Sequence, residues 1–133
     1  MNLIDELKAN NYALIASNGY HSIESGIKPI INKLNDDICY FKGLTVADKI
    51  VGKASAMLLV LSGVKEVNAV VLSKAGKSIL DKHNIEYTYE ELSEYIINRK
   101  GDGMCPMEET VKDIDDLDLA YIKLNERIIK MQI

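Results

Sequence analysis

The stretch from Val46 to Leu61 constrains this chain most. Placed at about 100° per residue it is apolar around most of its circumference, so a helix here has almost no face to give to water. Gly52, Ala54, Ser55 and Ala56 are small enough for neighbouring backbones to approach closely. Thr45, with Asp48 three residues on, reads as a carboxylate variant of the capping box that opens such a helix. An element apolar on all sides must be enclosed by others, and the remaining pattern supplies them.

Leu3, Ile4 and Leu7 predict a short first helix ending at Asn10-Asn11. Tyr12 to Ala16 reads as a strand, Asn18-Gly19 as a hairpin turn and Tyr20 to Glu24 as the return strand. Pro29, Ile30, Ile31 and Leu34 predict a brief helix, and Ile38 to Phe41, followed by Gly43, a central strand. Beyond the buried helix, Val67 to Leu72 and Ile85 to Thr88 read as strands, and Ser73 to His83 and Glu90 to Ile97 as helices. A polar loop, Arg99 to Gly103, precedes a long amphipathic helix in which Val111, Ile114, Leu117, Tyr121, Leu124, Ile128 and Met131 recur every three or four residues. Alternating strands and helices imply parallel pairing. The expectation is one α/β domain over residues 1–133, with a mixed sheet of about five strands and a buried central helix.

Charge and composition narrow the partners. A net charge of −4, with few aromatics and no basic strip, argues against nucleic acid. The acidic, amphipathic start is unlike a secretory signal, and no apolar run approaches the roughly 20 residues that span a bilayer, so a cytoplasmic protein without a membrane partner is expected. Cys39 and Cys105 are expected as thiols there.

The order hairpin, strand, buried helix, strand, helix, strand, helix resembles the three-layer α-β-α fold of the cytidine deaminases. More narrowly, Ala47 to Ala56, Asn98-Arg99 and Met104-Cys105-Pro106-Met107-Glu108 resemble a small bacterial family of unknown function that shares this fold. The zinc-dependent members take one ligand from His-x-Glu or Cys-x-Glu at the start of the buried helix and two from Pro-Cys-x-x-Cys at the start of the next. Here Gly52-Lys53-Ala54 and Ser73-Lys74-Ala75-Gly76-Lys77 fill those slots. Cys105-Pro106 has one Cys, in reversed order, after a further strand and helix. The resemblance therefore implies a zinc-less member, and no metal or other cofactor is expected.

Several residues stand out as candidates. Lys53, falling beside Val46, Met57 and Val60 on the buried helix, could hold a phosphate or carboxylate or serve as a base; the plainer reading is a Lys that snorkels or pairs with an acid. Ser73 and Lys74 open a helix after a strand, where free N–H groups attract anions; an ordinary solvated helix start explains them as well. Gly76-Lys77-Ser78 resembles the tail of a phosphate loop, but Val71 stands where its first Gly belongs. Arg99 could make bidentate contacts to an anion and Asp102 could accept from a ribose or an amide, or both could serve the local backbone. Cys105 precedes Pro106 at a helix start, as a weak cap or a nucleophilic thiol, with Glu108 in the first turn. His21 and His83 have no neighbouring nucleophile and acid to suggest a triad, and Asp113, Asp115, Asp116 and Asp118 read as the wet face of the last helix.

The leading expectation is a binder of a small anionic ligand such as a nucleotide derivative. The alternatives are an enzyme acting through Lys53 or Cys105 without zinc, and a structural or partner-binding domain, with a homodimer formed through the long last helix.

Overall fold

A hairpin starts the sheet. In the structure, a computed structural model that describes residues 2–96 and 103–131, helix α1 (Leu3–Asn10) leads into β1 (Leu14–Ala16) and β2 (His21–Ser22). Asn18 and Gly19 make the turn, with Ala16 N–H donating to Tyr20 O at 2.8 Å. Helix α2 (Lys28–Asp36) follows, then β3 (Thr45–Val51), α3 (Lys53–Ser62), β4 (Glu66–Ser73), α4 (Lys74–Lys82), β5 (Glu86–Ser93), α5 (Pro106–Val111) and α6 (Leu117–Met131). The strands form a five-stranded sheet in the order β2-β1-β3-β4-β5. β1 is antiparallel to β2 and β3, whereas β3, β4 and β5 are parallel.

Helix α1 covers one face, where Leu7 packs with Ile15 and Ala47. The other helices contribute to the main core on the opposite face, and α3 packs against α2, α4, α5 and α6. Met57, Leu58 and Leu59 have no exposed surface, and truncating any of them to Ala would cost about 2–5 kcal/mol. The three layers and the enclosed helix are those expected.

Four elements differ from expectation. The helix predicted over Val46 to Leu61 is two elements, strand β3 and the shorter α3. A continuous apolar run does not distinguish a buried strand from a buried helix; β-branched Val46, Ile50 and Val51 and the break at Gly52 carry the distinction. Thr45 and Asp48 are therefore strand residues, not a cap. Ile38 to Phe41 forms turns instead of a central strand, because the Asp37 carboxylate accepts the Cys39 N–H at 3.0 Å and draws the backbone round. Phe41 is fully buried there, which accounts for the apolar signal.

The helix predicted over Glu90 to Ile97 is the second half of β5 up to Ser93, an edge strand whose carboxylates face water. Ile97 lies outside the described residues. The long final helix is broken at residues 112–116, where Asp116 accepts the Leu119 N–H at 3.0 Å and caps α6.

Candidate functional site

Parallel pairing of β3 and β4 sends both strands out at the same edge of the sheet, so α3 and α4 begin side by side. Val51 and Leu72 are in register at this edge. The two starts are so close that a methyl group on Gly76 would lie 3.0 Å from Gly52 O. Crevices outside the carboxyl ends of parallel strands are where open α/β sheets bind ligands.

Helix α5 closes over this edge. Its Glu108 carboxylate accepts the Lys53 N–H on Oε1 at 2.7 Å and the Ala54 N–H on Oε2 at 2.8 Å. Residue 52 caps α3 but, being glycine, offers no side chain, and a methyl group there would sit 2.2 Å from Glu108 Oε1. Glu108 is thus a cap supplied from 55 residues away, answering two of the unsatisfied N–H groups of a helix start. Only 9% of Glu108 is exposed, and burial pushes its carboxyl above the usual range; the Ala54 and Lys53 amides and the Lys53 charge pull the other way.

Lys53 is the first residue of α3 and not a residue of its middle, because the preceding segment is strand. Its side chain is 12% exposed; the ammonium donates to Lys112 O at 3.2 Å and lies 3.6 Å from an Asp115 carboxylate oxygen. Ser73, fully buried, caps α4 by accepting the Gly76 N–H at 2.9 Å.

These groups line a cleft of about 440 Å³, within the size range of small-molecule sites. Ala75, Ile79, Met104 and Tyr95 give it apolar wall, while Ser78, Lys82 and Lys112 bring a hydroxyl and two cationic side chains. Lys82 and Lys112 are exposed and in no ion pair among the described residues. Glu94, Glu108 and Asp115 also line the cleft but are engaged by Lys74, the α3 amides and Lys53, so the apolar surface beside Lys82 and Lys112 suits a flat molecule that carries an anion. Among the described residues, no group of three or more His, Cys, Asp or Glu is placed to hold a metal ion.

Of the residues singled out from the sequence, Lys53, Ser73 and Glu108 meet in the cleft. Lys74 does not line it; it pairs with Glu94, a residue that does. Cys105 caps α5 without a side-chain hydrogen bond and lies outside the lining. Arg99 and Asp102 fall outside the described residues. Lys77, the lysine of the phosphate-loop-like tail, reaches Asp81 instead, at 3.1 Å. Tyr95, Met104, Lys112 and Asp115 were not legible as lining residues, because they enter from the end of the edge strand and the two sides of α5, which no local spacing relates to α3.

Asp48 is a second unforeseen feature, away from the cleft. It is buried in β3; Oδ1 accepts the Ile50 N–H at 3.2 Å, and Oδ2 has no partner among the described residues. Burial raises its carboxyl to about 7 despite the Ile50 and Lys49 amides.

Comparison with known proteins agrees with this architecture. The family described as Domain of unknown function (DUF1893) matches residues 2–128. The crystal structure of a DUF1893 family protein from Thermotoga maritima superposes with a TM-score of 0.81 at 26% identity, covering 98% of this chain and 86% of that one. No curated protein matches the sequence. No helix among the described residues is long and apolar enough to cross a membrane.

Proposed function

We propose that this chain, which belongs to the DUF1893 family, binds a small anionic organic molecule of the nucleotide-derivative class in the cleft between the starts of α3 and α4 and helix α5. The observation that carries the reading is the cleft itself: about 440 Å³ at the carboxyl ends of parallel strands, with Tyr95, Ile79, Lys82 and Lys112 among its lining residues. A base or other flat ring would pack on the apolar wall, and a phosphate or carboxylate would be drawn to the lysines.

The same reading takes the fold as cytidine-deaminase-like without the zinc chemistry. The two helix starts that would carry metal ligands hold Gly52-Lys53 and Ser73-Lys74, and the amides of α3 are occupied by Glu108. Cys105 lies outside the lining and the Lys53 ammonium is held by Lys112 O and Asp115, so binding is favoured over covalent chemistry.

Thermal unfolding with AMP, CMP, pyrophosphate and inorganic phosphate tests the proposal. A ligand of this class at about 100 times its Kd stabilises by about 2.7 kcal/mol, a rise in Tm of about 10 °C for a domain this size. The rise should vanish in the Lys82→Met, Lys112→Met double variant. No rise with any of the four, or an equal rise in the variant, would remove the proposal.

A further inference from the structure

Helix α6 carries two apolar faces, and the fold uses one. Ala120 and Leu124 are buried, with Leu117, Tyr121 and Ile128 packed beside them on the main core. On the opposite side Leu119, Ile122 and Ile129 are 41%, 53% and 59% exposed. At about 100° per residue these three and Glu126 fall within about 80° of one another, a stripe along the whole helix. Packing on α3 and α5 does not account for it.

The charges along α6 indicate what covers the stripe. Asp115, Asp116 and Asp118 stand at its start, Arg127 and Lys130 near its end, and Lys123 and Glu126 at its middle, 3.6 Å apart. We infer that the stripe is a homodimer interface in which two copies of α6 pack antiparallel about a two-fold axis near residue 124. In that register Leu119 lies beside the partner's Ile129, and Ile122 beside the aliphatic stem of the partner's Glu126. The same register sets Lys123 against the partner's Glu126, twice by symmetry, and lays the acidic start of each helix over the basic end of the other. Apolar and ionic patterns thus select one alignment, and the opposed helix dipoles favour it too. A parallel pair would stack like charges at both ends.

The edge of β5 is the rival surface, and its charges disfavour the register centred on Thr88. Antiparallel pairing about Thr88 would put Glu86 opposite the partner's Glu90, at both ends of the ladder. One helix of about 22 Å is a small interface, so the dimer is weak and concentration-dependent.

Sedimentation equilibrium from low micromolar to submillimolar protein tests this independently of any ligand. Wild type should show a monomer–dimer equilibrium, and Ile122→Glu should stay monomeric. Lys123→Glu and Glu126→Lys should each weaken self-association by about tenfold or more, yet an equimolar mixture of the two should form a heterodimer, an outcome that a change in helix stability alone cannot give. Mixed under oxidising conditions, Leu119→Cys and Ile129→Cys chains should yield a 119–129 cross-linked peptide. The inference is overturned by a wild type monomeric throughout, by a dimer indifferent to these substitutions, by a mixture that fails to associate, or by a 119–119 link in the Leu119→Cys chain alone.

Discussion

Replacing Asp48 by asparagine should remove a pH dependence that a buried carboxyl builds into the stability of this fold. The group ionises at about 7 in the folded chain against an ordinary value of 3.8. The folded state therefore holds its proton through a pH range in which the unfolded chain has released it. A carboxyl raised in this way makes stability greatest at low pH; stability falls as pH rises from about 4 to about 7 and then levels off. At 1.36 kcal/mol per unit the full loss is about 4 kcal/mol, of which about 2.5 kcal/mol falls between pH 5 and pH 8. Asparagine keeps an oxygen for the Ile50 N–H but puts an N–H₂ where Oδ2 has no partner among the described residues. The unpartnered N–H₂ costs about 1–3 kcal/mol relative to the protonated carboxyl, and because it does not titrate, the variant's curve lacks the slope that Asp48 gives the wild type. Glu108, also raised, tilts wild type and variant alike. Urea unfolding at pH 5 and pH 8 gives the test. The wild type should lose about 2.5 kcal/mol more than Asp48→Asn over that interval; parallel curves would refute the reasoning.

The Glu108 cap makes further predictions. Glu108→Gln loses the charge and turns one amide donor toward another, so urea unfolding should show a loss of about 2 kcal/mol. Gly52→Ala drives a methyl group into the carboxylate and should cost about 2–3 kcal/mol by the same measurement, but at least 1 kcal/mol less in a Glu108→Ala background, since the two positions are in contact. Gly76→Ala presses on the backbone at Gly52 and should cost about 1–3 kcal/mol whether or not Glu108 is present, which separates crowding of the helix starts from loss of the cap.

Local signals in the sequence carried the hairpin, α1, α2, β4 and α4, because each rests on turn residues, a proline or a clear period within about ten residues. What failed was the kind of element in the most apolar stretch. Val46 to Leu61 is buried whether strand or helix, so burial alone left the choice to Gly52, whose glycine is explained by Glu108 far along the chain. Asp48 shows the converse: a carboxylate near a presumed helix start looks like a cap, and only the strand reveals it as a buried acid. In the candidate site, Lys53, Ser73 and Glu108 were each conspicuous locally, but their meeting depends on parallel register and on the return of α5, which spacing does not encode.

Titration of ¹⁵N-labelled protein with AMP, followed amide by amide, tests the central claim of a ligand-binding cleft most directly. Saturable shifts should concentrate on Ala75, Ser78 and Ile79 at the start of α4, on Tyr95 and Met104, and on Lys112, and should be lost in the Lys82→Met, Lys112→Met variant. Resonances that stay still at millimolar AMP, or that move only on surfaces away from these residues, would contradict it.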